Sequence, residues 1–207
     1  MNKHELYQLV AVISAAIEVR DYYTSKHQSR VSHLARCIAQ ELALPKDKIE
    51  NTRIAATLHD IGKLGVPTAI LAKVGELRKE EFALIKQHSV IGEGILNNVD
   101  FEGPIATIVR QHHERLDGSG YPDGLTGDQI LIESKIVAVA DVVESMSSSR
   151  AYRQAKGLSA AIDEIVKNRG LLYEPDVVDA CCRLYQKHKA DLFDMDKPIT
   201  DLKCELA

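Results

Sequence analysis

Eight histidines occur in the chain, and several fall where water is not expected. His27 lies on the apolar stripe of a helical pattern. His112 shares a helical face with Ile105, Ile108 and Val109, and His113 follows it directly. His59 precedes Asp60 at the end of another apolar run. Asp141 is embedded in IVAVADVV, next to the face marked by Ile136, Ala140 and Val143. A carboxylate taken out of water is expensive unless it is paired or bound to a metal. A single core histidine is commonly just hydrogen-bonded, an adjacent His-Asp pair arises easily by chance, and the rarer His112-His113 pair is still weak alone. Several imidazoles and two carboxylates aimed at one core need a common explanation. A metal centre supplies it, because cations neutralise carboxylates and take up imidazole lone pairs. His4, His33 and His188 have no such context and receive no role.

The elements that must carry these groups are helices. Leu6, Leu9, Val10, Ile13, Ala16 and Ile17 recur at helical spacing. A break follows at Asp21-Tyr22-Tyr23, and Thr24 is a good N-cap for a second helix. The inner stripe of that helix is His27, Val31, Leu34, Ala35, Ile38 and Leu42. Pro45 suits the first position of a third helix, which carries Ile49, Ile54 and Leu58 to His59-Asp60. A loop with Gly62, Gly65 and Pro67 comes next. Further helices are expected near 79–89, 91–98, 104–114, 133–147, 158–168 and 175–189. Residues 115–131, RLDGSGYPDGLTGDQIL, hold four glycines and a proline and read as irregular loop. No run shows sustained strand alternation, and no internal repeat is visible. The expectation is an all-α, single helical bundle over residues 1–190, with 191–207 as a loosely ordered tail.

Composition narrows the function further. The 207 residues are 45% hydrophobic and 27% charged, enough for one domain with a real core. Trp is absent and aromatics make up 5%, so stacking platforms for a long nucleic acid are scarce. With a net charge of −4, an anionic substrate must be attracted by a local site. Cys37, Cys181, Cys182 and Cys204 form no C-x-x-C pair and suggest reduced thiols. The longest apolar stretch, Leu9 to Ile17, is too short to span a bilayer, and the N-terminus lacks the apolar core of a signal peptide. A cytoplasmic chain without membrane insertion is expected.

The motifs then carry a resemblance. LHDIGK (Leu58 to Lys63) resembles the signature of the HD superfamily of metal-dependent phosphohydrolases, and HHERLDGSGYP (His112 to Pro122) resembles that of its HD-GYP family. KQHSVIGEGIL (Lys86 to Leu96) fits the family's H-x-x-x-G segment. VADVVESMSSSRAYR (Val139 to Arg153) fits its second aspartate and arginine block, and YYTSKHQSRV (Tyr22 to Val31) its first histidine. The resemblance covers roughly residues 15 to 190, with the motifs in the family's order. A lone HD is a weak motif, whereas this glycine-rich signature downstream of HDIGK is highly specific.

The resemblance implies an HD-type bundle with a GYP loop, holding two, sometimes three, iron or manganese ions. By position the metal ligands are His27, His59, Asp60, His88, His112, His113 and Asp141, with Asp60 bridging. It also implies that Lys63 is a catalytic phosphate clamp, and that Tyr121, Arg150 and Arg153 contact substrate. The implied reaction is two-metal hydrolysis of cyclic di-GMP to the linear dinucleotide. Alternatives are an HD phosphohydrolase acting on another nucleotide such as cyclic GMP-AMP, and a non-catalytic cyclic dinucleotide receptor. The full ligand set argues against the receptor. Departures from the family are Val74 and Ala151 where proline is common, and Tyr23 where three-metal members carry glutamate. The apolar first helix offers a surface for a homodimer, and a sensory domain in a longer parent protein would supply the input signal.

Overall fold

The computed structural model describes residues 3–20, 24–73, 75–148 and 155–193. Ten α-helices occur among them: α1 (Lys3–Arg20), α2 (Thr24–Glu41), α3 (Lys46–Leu58), α4 (Thr68–Leu71), α5 (Lys79–Lys86), α6 (His88–Leu96), α7 (Ile105–Gln111), α8 (Ile132–Ser147), α9 (Leu158–Lys167) and α10 (Pro175–His188). Short 3-10 turns cover Ile61–Gly65, Gly127–Gln129 and Lys189–Phe193. Extended pairing among the described residues is limited to two isolated bridges, Asp117 with Thr126 and Arg169 with Tyr173.

The apolar spacing explains the packing. On α2, Val31, Leu34, Ala35 and Ile38 are fully buried, the pattern of one helical face. On α8, the consecutive residues Ile136, Val137, Ala138, Val139 and Ala140 are all buried. That run exceeds one helical turn, so α8 is covered on every side there and is the central helix. α2 and α3 pack on each other and on α8; α7 joins α3, and α9 and α10 lie against α8. Each fully buried Leu or Ile in this core contributes about 1.5–3 kcal/mol relative to exposure. No described helix is long and apolar enough to cross a membrane.

Local differences from expectation have local causes. Pro45 stands one position earlier than expected, as the residue that caps α3, with extended backbone. The expected loop after Asp60 holds a 3-10 turn and the short α4, because glycine spacing hides such short elements. Gln87 separates α5 from α6, so His88 begins a helix. α7 ends at Gln111, which leaves His112 and His113 just past its end. The turn Lys189–Phe193 is packed, with Leu192 only 5% exposed. Tyr23, Val74, Arg150, Ala151, Arg153 and the segment from residue 194 onward lie outside the described residues.

Candidate metal centre

The functional side chains emerge mostly where helices end. His59 follows α3, His88 comes two residues after the last of α5, and His112 follows α7. The last turn of a helix leaves carbonyls without intrahelical partners. Each histidine uses one of them. Nδ1–H of His59 donates to the Ala56 carbonyl at 2.7 Å, that of His88 to Ile85 at 2.7 Å, and that of His112 to Val109 at 2.5 Å. With the proton on Nδ1, Nε2 is left as a bare acceptor. His27, inside α2, reaches the same state by another route: its Nδ1–H donates to Glu144 Oε2 on α8 at 2.5 Å.

Three of the rings have lowered pKa values. Burial is the main cause that lowers the His88 pKa. Burial, His59 and His88 take His112 down to about 3. Burial and the adjacent His112 and His88 hold His113 well below the usual range. The Nε2 atoms of His88 and His112 nevertheless face each other at 3.3 Å. Two acceptor lone pairs at that distance repel unless a positive centre lies between them. The lowered pKa values disfavour a proton there, whereas a metal ion is the normal acceptor of such lone pairs.

The carboxylates complete the arrangement. Asp60 Oδ2 lies 3.8 Å from His27 Nε2 and 3.6 Å from His59 Nε2, while Oδ1 lies 3.8 Å from His88 Nε2. One carboxylate thus faces two groups of imidazoles with its two oxygens. Asp141 Oδ1 is 3.4 Å from His27 Nε2 and 4.0 Å from His59 Nε2, and accepts from Ser145 Oγ at 3.0 Å. Two ligands at right angles around one ion, each about 2.1 Å from it, lie about 3 Å apart. The observed spacings are of that size or somewhat wider. Three sets have donor atoms within 4.8 Å of one another: His88, His112 and His113; His27, His59 and Asp141; and His59, Asp60 and His112. Imidazoles and carboxylates without a thiolate suit a divalent transition metal. Burial opposes ionisation of Asp60, but Lys63, His59, His88 and His27 outweigh it and hold the carboxyl well below its usual range. Lys63 Nζ donates to Asp60 Oδ2 at 2.6 Å.

Two glycines allow these approaches. A Cβ on Gly62 would lie 1.7 Å from the His88 carbonyl oxygen and 2.6 Å from Gly92 N. Only a bare backbone lets the turn after Asp60 touch α6 and bring Asp60 to His88. In the 115–131 loop, a Cβ on Gly120 would lie 2.4 Å from Glu114 Cα. Glu114 is buried and accepts from the backbone N–H of Asp123 at 2.7 Å and of Leu125 at 3.0 Å. The loop folds around this carboxylate and presents Tyr121, whose ring stacks on His113 at 4.6 Å. Burial, followed by the charges of Asp141 and Asp60, raises the Tyr121 pKa, so the phenol keeps its proton.

The family model described as HD domain matches residues 11–177. The chain belongs to the HD domain family. Its His112–Pro122 loop carries the HD-GYP signature. The HD-GYP chain is 42% identical over 173 residues to the cyclic di-GMP phosphodiesterase response regulator RpfG of Xanthomonas campestris, covering 83% of this chain and 46% of that protein. It is 41% identical over 196 residues to a cyclic di-GMP phosphodiesterase of Thermotoga maritima, covering 93% of this chain and 52% of that one. The chain therefore spans about half the length of these curated relatives. A solved structure of a cyclic GMP-AMP specific phosphodiesterase from Vibrio cholerae superposes with a TM-score of 0.67 at 17% identity, covering 86% of this chain and 48% of that one. That likeness shows the HD fold.

In this HD-GYP chain, His27, His59, Asp60, His88, His112, His113 and Asp141 converge on one place, with Lys63 and Tyr121 at its edge. Arg150 and Arg153 lie outside the described residues. Sequence reasoning missed two groups. Glu144, 1% exposed, orients His27 and also accepts from Ser148 Oγ at 2.6 Å. Its spacing of three from Asp141 on one helix was the available signal. Glu114 was visible inside the HHE motif, but its role in organising the loop needs the folded backbone.

Proposed function

We propose that this HD-GYP chain hydrolyses a cyclic dinucleotide second messenger, cyclic di-GMP, to the linear dinucleotide at a pair of divalent ions. The observation that carries the reading is the confronted His88 and His112 Nε2 atoms, together with the two-sided Asp60 carboxylate. Both features ask for cations, one on each side of Asp60. The names of the Xanthomonas and Thermotoga relatives support the substrate.

The assignment gives His27, His59, Asp60 and Asp141 to one ion, and Asp60, His88, His112 and His113 to the other. The donor set favours iron or manganese. Bound ions would supply Lewis acidity at the phosphate and a water nucleophile usable at neutral pH. The chain's own residues do the rest. Asp60 would help hold both ions, since its two oxygens face different imidazoles. Glu144 fixes the His27 ring through Nδ1 and thereby aims Nε2. Lys63 has three donor hydrogens and spends one on Asp60, so its charge reaches both that carboxylate and a phosphate laid against it. The protonated Tyr121 hydroxyl is a donor at the rim of the site. Arg150 and Arg153 retain their substrate role from the motif pattern.

The same proposal covers the partners of the complete protein. A sensory domain would supply the input, and a relative named as a response regulator supports such an arrangement. Val12 of α1, 67% exposed, is offered as part of a homodimer contact. The free thiols of Cys37, Cys181 and Cys182 fit a cytoplasmic location. The test is anaerobic purification with elemental analysis, followed by turnover assays on cyclic di-GMP, cyclic GMP-AMP and cyclic di-AMP. About two ions per chain and release of the linear dinucleotide from cyclic di-GMP are expected. A metal-loaded protein that cleaves none of the three would overturn the reading.

A further inference from the structure

Among the described residues, two cations beside the candidate centre have no carboxylate partner: Arg115, which donates to the Glu114 carbonyl and lies over the Tyr173 ring, and Lys86. Lys63 is engaged with Asp60. Lys86, near the end of α5 and two residues before His88, has no carboxylate partner among the described residues. Its Nζ lies 5.0 Å from the centroid of the Phe82 ring and 5.2 Å from that of Tyr121. An ammonium against two aromatic faces is attracted by both quadrupoles and loses part of its freedom. A surface lysine without a role would usually extend into water. Here the side chain is half-buried and turned back over the loop.

The Tyr121 ring connects this cation to the centre. It stacks on His113 at 4.6 Å and meets His88 edge-on at 6.4 Å between centroids. Phe82, beyond Lys86, is 44% exposed although it is a large apolar side chain. The surface next to the centre therefore combines a fixed positive charge with an open aromatic face. Those features match the non-reacting part of a cyclic dinucleotide, which carries a second phosphodiester and a flat base. The aromatic face suits the base by stacking, and the ammonium suits the phosphate.

We propose that Lys86, supported by the Phe82 and Tyr121 rings, binds the second phosphate of the substrate, the one that is not cleaved. The proposal rests on the cyclic dinucleotide reading of the centre. It separates two jobs: the ligand cluster and Lys63 act on the scissile phosphate, and Lys86 holds the remote one and sets the preference for substrates with two phosphates.

The experiment compares Lys86→Met and Lys86→Arg with the parent protein on two substrates. One is cyclic di-GMP. The other is bis(p-nitrophenyl) phosphate, a diester with no second phosphate. Lys86→Met should raise KM for cyclic di-GMP about tenfold to hundredfold, the range for losing one charge-assisted contact. It should leave kcat/KM for the small diester and the metal content unchanged, and Lys86→Arg should restore most of the lost affinity. An equal loss on both substrates, or no change on cyclic di-GMP, overturns the role of Lys86 while leaving the function intact. A parent protein that cleaves the small diester but no cyclic dinucleotide overturns the functional reading, and the Lys86 role falls with it.

Discussion

At the scale of single residues, the centre depends on which atoms are bare and which are occupied. Asp60 is the only carboxylate here seen to face imidazoles with both oxygens among the described residues. Asp60→Asn should therefore lower bound metal and abolish hydrolysis, because an amide has one acceptor oxygen where the carboxylate has two. Near-normal turnover by a folded Asp60→Asn protein would refute the assignment. Lys63→Ala should behave differently, slowing turnover roughly tenfold to hundredfold while metal content stays close to that of the parent. Elemental analysis beside steady-state rates separates the two. Tyr23 lies four residues before His27 in the sequence, where three-metal members of the family carry glutamate. A phenol with a reference pKa of about 10 brings no negative charge at neutral pH. The expected stoichiometry is two ions and the main product is the linear dinucleotide. Three ions per chain, or mononucleotide appearing as fast as cyclic di-GMP disappears, would contradict it.

At the scale of elements, the decisive contact is between the turn Ile61–Gly65 and helix α6. It is a backbone-to-backbone contact, and it brings the end of α3 to the start of α6. A methyl group at Gly62 would have to occupy the space of the His88 carbonyl, 1.7 Å from its oxygen. That clash cannot be relieved by rotating a side chain. Gly62→Ala should cost on the order of 3 kcal/mol and lower metal content as His88 is pushed from Asp60. Thermal unfolding with parallel metal analysis measures both, and a variant with unchanged Tm and full metal loading would show that the turn yields freely.

At the scale of the whole molecule, the centre is a stability problem that binding converts into an advantage. Without metal, the fold buries histidines whose pKa values lie below those of the unfolded chain. The unfolded state then takes up more protons once the pH drops below about 6.5. Stability is greatest above that value and falls as the pH drops through it. With a folded value of about 3 for His112, that residue alone should cost the metal-free protein on the order of 1 kcal/mol between pH 7.5 and 5.5. Denaturant midpoints of chelator-treated protein at the two pH values test this. A midpoint that rises on acidification would contradict it. Metal binds only the folded arrangement, so the loaded protein should be the more stable at either pH, but protons compete with the ion for the same imidazoles and the added stability should shrink as the pH falls.

The sequence by itself determined the helical class and the approximate helices, because apolar spacing and glycine or proline breaks are local signals. It also singled out His27, His112 and Asp141, which stand out against apolar stripes such as Val31, Leu34 and Ile38, while the rest of the ligand set, His88 included, came from the resemblance of its motifs to the HD-GYP family. What it left open needed distances between segments far apart in the chain. The pairing of His27 with Glu144 spans two helices. The confrontation of His88 and His112 depends on where α5 and α7 stop. The seat of Lys86 over Tyr121 depends on a loop folded around Glu114. Residue types carry chemistry, but only tertiary packing decides which lone pairs meet and where a cation such as Lys86 is seated.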